Sequence, residues 1–385
     1  MMFFIERLIG IGTYVAMLVL LCLFMRRATS SKTRHGLEMT YFLVLVVLAF
    51  IYVPYKTMDL YRLLLEIHRW VKEYSWKDIF NIAIKSSTPG WYIYGYALAS
   101  TGIDGLVPAC TAVIVYANVF RICETSIEKC QLNRLDAEAV FFYIMSIGEI
   151  FILTISNVRT AIGISIIARC AVEEIYQEKK FVRNILWYAI AASFHQFCFI
   201  ACALRIAAIF FEMIVFEKQL WIRNLPVVLF LGVVFLFLLN QNNSMNYMTD
   251  VIGKVTYYLS QNVYDYFWER LIGIFNILFV LISIRYARKY GLYSKVRTRK
   301  VLIFLWVLLI AEMLFGREYA IFRRTSVLMI FVSVPIVAEV LSVYESRKRK
   351  SLQAQNNYRN FLWINSWVVL ALECVRGDLC GYKFF

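Results

Sequence analysis

Apolar runs approaching the length needed to cross a ~30 Å hydrocarbon core recur along this chain, each closed by a cluster of charged residues. A backbone in lipid must satisfy its own N–H and C=O groups, so such runs fold as transmembrane helices. Between the charge clusters they fall near 8–25, 37–54, 104–121, 138–156, 159–175, 184–198, 199–213, 225–240, 270–286, 301–315, 322–343 and 359–375. The expected fold class is therefore all-α: a polytopic integral membrane bundle of about 12 transmembrane helices, forming one domain over 1–385. The stretch from Trp91 to Thr101 follows Pro89-Gly90 and is too short to cross, so it is expected as a re-entrant or interfacial helix.

The charge content of 17% lies below the ~25% usual in soluble proteins, and mean hydropathy is +0.63. A soluble enzyme, a secreted disulfide scaffold and a disordered tail protein are excluded. Most of the nine Cys sit inside apolar runs, among them Cys22, Cys110, Cys170, Cys198 and Cys202, where a thiol serves as a small hydrophobe. The net charge of +15 reports topology here, not nucleic-acid binding.

Arg26 and Arg27 follow the first apolar run instead of preceding it, which identifies a retained span with its N-terminus outside. The loops then expected on the cytoplasmic side, 26–36, 122–137, 176–184, 212–224, 285–300 and 345–359, hold 23 Lys and Arg, against about 13 in the outer segments. An even number of spans also puts the C-terminus outside. Within this frame 55–103 is an outer interfacial and re-entrant segment, 241–269 an outer loop and 344–358 a basic cytoplasmic loop. The part LYRLLLEIHRWVKEYSWKDIF has helical periodicity with Trp70, Tyr74 and Trp76, as suits a helix lying in the membrane interface.

A charge at mid-bilayer costs ~2.5 to 3.5 kcal/mol on insertion scales, so each intramembrane charge needs a partner or a use. Glu149, Arg159, Arg169, His195, Arg205 and Glu312 stand out, with Arg317, Arg323 and Arg324 clustered near one end of a late span. Arg159, Arg323 and Arg324 all begin spans at the expected outer face, where Asp59 and Arg62 approach from the first outer stretch. Guanidinium forks keep their charge when dehydrated and bind phosphate oxygens bidentately, which suits a lipid-linked phosphate or pyrophosphate. The alternative is that these charges pair as packing contacts, Glu149 with Arg205 and Glu312 with Arg317. His195 lies among Ala189, Ala191, Ala192 and Ser193, small residues that allow close helix approach, and is a candidate base or phosphate-facing cation. His195, Cys198 and Cys202 share a helical face but lack a fourth ligand for a metal. Phosphate-loop, HExxH, GxSxG and paired-Asp motifs are absent, so no cofactor and no metal are expected in catalysis.

In order, TMDLYR (57–62), TPGWYIYGYALASTG (88–102), SNVRTAIGISIIA (156–168), IAASFHQFCFIACAL (190–204) and REYAIFRRTSVLMIFVSVP (317–335) resemble the EpsG-type exopolysaccharide polymerases, Wzy-like membrane proteins. The resemblance covers most of 40–343. It departs at Thr88, where the family often has an acidic residue, and at Phe197, where it often has a small hydroxyl residue. The resemblance implies a metal-independent membrane glycosyltransferase of the bacterial cytoplasmic membrane, acting on undecaprenyl-pyrophosphate-linked oligosaccharide repeats at its outer face. Implied partners are those substrates, membrane lipids, and a flippase and chain-length regulator. Arg159 and Arg324 would hold pyrophosphate, Arg62 and Arg323 would support them, and His195 or Asp59 would take the proton. A lipid-linked oligosaccharide flippase and a membrane O-acyltransferase are the alternatives; no inverted repeat favours the former.

Overall fold

The computed structural model describes residues 2–27, 31–54, 56, 58–146, 151, 154, 156–177, 181–216, 267–315, 319–345, 350–376 and 383–384. Along them run α1 (Met2–Arg27), α2 (Ser31–Phe50), β1 (Tyr52–Val53), α3 (Asp59–Glu73), α4 (Trp76–Lys85), α5 (Pro89–Ala99), α6 (Leu106–Cys130), α7 (Arg134–Ser146) and α8 (Val158–Tyr176). There follow α9 (Phe181–Phe194), α10 (Gln196–Phe216), α11 (Phe267–Lys289), a 3-10 turn (Leu292–Ser294), α12 (Val296–Phe315), α13 (Tyr319–Glu345), α14 (Lys350–Arg376) and β2 (Lys383–Phe384).

The chain is an all-helical, multi-pass membrane protein. Among the described residues five helices are long and apolar enough to cross a bilayer: Lys32–Phe50, Leu106–Cys130, Gln196–Ile214, Arg270–Lys289 and Ile321–Val343. That differs from the expected count of about twelve, and part of the reason is charge. Helix α8 is long enough but carries Arg159, Arg169, Glu173 and Glu174. The expected spans at 138–156 and 225–240 fall partly or wholly outside the described residues, as does the expected loop at 241–269 up to position 266. From Lys350 the expected basic loop is already helical, as the first turns of α14.

Helix α13 is the axis of the bundle. It packs on α6, α7, α8, α11, α12 and α14, and the run from Val327 to Leu341 is almost wholly buried. Its Glu339 is fully buried and accepts from Tyr176 Oη at 2.8 Å and Arg297 Nε at 2.9 Å, with Thr298 Oγ1 a third donor. A buried carboxylate is tolerated when its lone pairs are filled by charged and neutral donors, and here they tie α8, α12 and α13 together.

Two contacts fix the ends of the bundle. His35 at the start of α2 lies 3.0 Å from Glu124 near the end of α6. At the opposite end a Cβ on Gly105, just before α6, would stand 2.2 Å from the Phe50 carbonyl oxygen at the end of α2. Helices α2 and α6 are thus antiparallel neighbours, and α3, α4 and α5 between them make an excursion that returns to the end from which it left. Helix α5, eleven residues or about 16 Å long, does not cross. Ser75 starts α4 with a capping box, its hydroxyl accepting from the Asp78 N–H while the Asp78 carboxylate takes the Ser75 N–H. Strand β1 pairs antiparallel with β2, Tyr52 opposite Phe384 and Val53 opposite Lys383, which brings the close of the chain to the excursion end.

Candidate functional site

The excursion end is assembled by three close approaches that only small residues permit. Helices α9 and α10 form an antiparallel hairpin, since Cys202 Sγ donates to the Tyr188 carbonyl at 3.7 Å across it. His195 alone separates the two helices and is the apex. A Cβ on Gly163 of α8 would lie 2.1 Å from Cys198 Sγ and 3.0 Å from the Ala191 carbonyl oxygen, so α8 is pressed into the hairpin just below that apex. Gly90 of α5 meets Ser193 in the same way at 2.3 Å, and Gly95 meets Ile67 of α3 at 3.0 Å. Arg159 lies one turn before Gly163, and His195 three residues before Cys198, so one seam carries both toward the same place.

The expected hairpin turn after residue 198 falls earlier, at His195, because this residue caps α10. Its Nδ1 accepts the Phe197 N–H at 3.0 Å, satisfying one of the helix's unpaired donors. In the neutral ring the proton then sits on Nε2, which makes that nitrogen a donor. Gln196 Nε2 donates to Ser87 Oγ at 3.0 Å and ties the apex to the segment leading into α5.

The Arg159 guanidinium lies over the Trp91 ring, 5.5 Å from its centroid, and forms no ion pair among the described residues. Trp91 is edge-on to Trp70 at 6.4 Å, and Trp70 stacks on Tyr92 at 4.6 Å, so an aromatic wall joins α3 to α5 beneath Arg159. Glu66 stands one turn before Trp70. Its carboxyl is pushed above the usual carboxylate range, first by withdrawal from water, while Arg159 and then Arg69 pull it back. Arg324, near the start of α13, lies within electrostatic reach of Cys198. Arg323 is its neighbour, half-buried like it.

Arg159, His195 and Arg324 thus gather around the hairpin apex. Asp59 and Arg62 are on α3 at the same end but bond to each other, Nη2 to Oδ1 at 2.8 Å, on its exposed side. Glu66 carries a signal that sequence reasoning passed over: Asp59, Arg62 and Glu66 fall at i, i+3 and i+7, one helical face. Trp91, Tyr92 and Gln196 were likewise not singled out, and nothing in their spacing marks them.

Two of the remaining intramembrane charges, Arg205 and Arg169, have partners elsewhere. Arg205 is buried and pairs with Glu174 of α8 at 3.1 Å and Glu212 of its own helix at 2.7 Å; Glu149, its expected partner, lies outside the described residues. Arg169 covers Trp187 at 4.6 Å. Glu312 is buried, neither carboxylate oxygen has a hydrogen-bond partner among the described residues, and Arg317, its expected partner, lies outside them. Cys198 is packed against Gly163 and Cys202 bonds to a carbonyl, so neither stands as a metal ligand.

Compared with known proteins, the chain matches a family model described as the EpsG family over residues 65–370, a range that takes in Glu66, Arg159, His195, Arg323 and Arg324 but begins after Asp59 and Arg62. No curated protein and no solved structure matches it.

Proposed function

The chain belongs to the EpsG family, and from that premise we propose that it polymerises undecaprenyl-pyrophosphate-linked oligosaccharide repeats at the outer face of a bacterial cytoplasmic membrane. The family suggests a membrane protein of polysaccharide biosynthesis and a polymerase-type glycosyltransferase; the lipid-linked substrate and the roles below belong to the proposal. The observation that carries it is the gathering of Arg159, Arg324 and His195 at the excursion end. Glu38, Glu124, Glu174, Glu212 and Glu339 lie toward the other end, accompanied there by basic residues that include Arg34, Arg205 and Arg297.

In the reaction, a hydroxyl oxygen of the incoming repeat's non-reducing sugar bonds to the anomeric carbon of the growing glycan. The bond from that carbon to the pyrophosphate oxygen breaks, and undecaprenyl pyrophosphate departs with the electron pair. Arg159 and Arg324, supported by Arg323, offset the charge that grows on the leaving oxygen. His195, its Nδ1 held by the helix cap, presents Nε2–H to a phosphate or sugar oxygen. The hydroxyl proton goes to a carboxylate. Asp59 is already bonded to Arg62, so Glu66, beside Arg159, takes that role with Asp59 and Arg62 behind it. The walls of Trp70, Trp91 and Tyr92 give apolar faces on which a sugar ring can rest.

Deletion of the gene, followed by sizing of surface and lipid-linked glycans, tests the reading. Loss of the long ladder with accumulation of single lipid-linked repeats on the outer leaflet is expected. Single repeats trapped on the inner leaflet would identify a flippase instead, and a full ladder lacking only an acyl group an O-acyltransferase.

A further inference from the structure

The carboxylates gathered at the far end are not all matched by basic groups. His35 and Glu38 lie three residues apart near the start of α2, and Glu124 faces them from α6, one donor atom from each within 4.8 Å of the others. His35 Nδ1 is 3.0 Å from Glu124 Oε1 and 3.8 Å from Glu38 Oε2. Donors around a first-row dication, each ~2.1 Å from the metal, stand at comparable separations. Glu38 is only 2% exposed, and its Oε1 has no hydrogen-bond partner, with Arg34 Nε at 3.4 Å its nearest cation. The carboxyls of Glu38 and Glu124 touch each other, and Glu128 adds its charge from one turn further along α6. Among the described residues Arg34 and Arg121 stand against these three carboxylates, and Arg121 reaches Glu124 only at 4.0 Å and is drawn toward Glu173 at 3.5 Å. The knot is anionic inside a strongly basic chain, and two touching carboxyls need either a proton or a cation between them.

We propose that His35, Glu38 and Glu124 bind one divalent transition-metal ion that staples α2 to α6. One imidazole nitrogen and two carboxylate oxygens suit manganese, iron or zinc better than magnesium or calcium, whose sites are built from oxygen alone. The role is structural. Glu173, beside the site, is fourteen residues along α8 from Arg159, about 21 Å at 1.5 Å per residue, so the ion lies too far from the arginines to act on substrate.

The test uses the full chain, purified without a polyhistidine tag, reconstituted in nanodiscs, stripped with chelator and titrated with Zn²⁺, Mn²⁺ and Co²⁺. One ion per chain after buffer exchange, a raised apparent Tm and cobalt absorption bands of mixed nitrogen and oxygen ligation are expected. His35→Ala and Glu124→Gln should each weaken binding at least tenfold while leaving the Tm of the stripped protein near that of the parent. If Glu124→Gln does not fold, the cobalt spectrum of the parent and the His35→Ala titration decide alone. No bound metal in the parent, or equal binding by His35→Ala, overturns the proposal. So does a Tm that ignores metal and rises only on acidification, which would identify a shared proton instead.

Discussion

At Arg159 the guanidinium rests on Trp91 and forms no ion pair among the described residues, so its charge is available to a ligand in a way that Arg205's, spent on Glu174 and Glu212, is not. Arg159→Ala is expected to lower polymer yield by roughly 100-fold, as removal of a donor to a developing oxyanion does, with protein level unchanged on immunoblots. Arg159→Lys should restore little of it, since an ammonium lacks the bidentate fork. At His195 two roles can be separated. Asn caps a helix well, so His195→Asn should keep the parent's apparent Tm and lose activity, whereas His195→Ala should lose about 1 kcal/mol of stability as well. Equal activity in His195→Asn and the parent would remove Nε2 from the mechanism. Glu66 gives a pH signature. Its pKa is raised, so the ionised, proton-accepting form is lost as pH falls through a value above the ordinary carboxylate range, and the acid limb of the activity profile should sit there. Glu66→Gln should abolish most activity and flatten that limb; a limb that stays in place would assign it to another group.

Among the elements, the hairpin of α9 and α10 and the short α5 owe their placement to glycines. Gly163→Ala sets a methyl against a sulfur and a backbone carbonyl, of which only the first can swing aside. A cost of about 1–3 kcal/mol is expected, read as a lowered apparent Tm in nanodiscs, with loss of activity because Arg159 moves with α8. Gly102, by contrast, has φ of +73° and open space around it, so its requirement is conformational and confined to the turn before α6. The amphipathic pattern of 59–85 was legible as helix because charged and apolar residues alternate there with helical period. Its division into α3 and α4 turned on Ser75 and Asp78, a capping pair readable in principle from SWKD.

For the whole molecule, the basic loops expected on one side do gather at one end: those beginning α2 and α7, ending α6 and α8, and leading into α12. Single cysteines placed at Asp104 and Lys295 in a cysteine-depleted background should report opposite sides, Asp104→Cys reacting with an impermeant maleimide in intact cells and Lys295→Cys only after lysis. The reverse pattern would turn the whole bundle over and place the arginine cluster in the cytoplasm. Apolar runs and the charge clusters were enough to specify a helical membrane bundle and the start of α8 next to Arg159, because hydrophobic length and loop charge act locally along the chain, while the family resemblance rested on the ordered motifs from TMDLYR to the REYAIFRR stretch. Which charges are spent on each other was decided only in three dimensions. Arg205 meets Glu174 across 31 residues, Glu339 meets Arg297 across 42, and Trp91 reaches Arg159 through packing that no spacing encodes. An ion pair between helices depends on how their faces are rotated and how deeply they interlock, and here that was set by Gly90, Gly95 and Gly163, whose significance lies in the neighbours they admit.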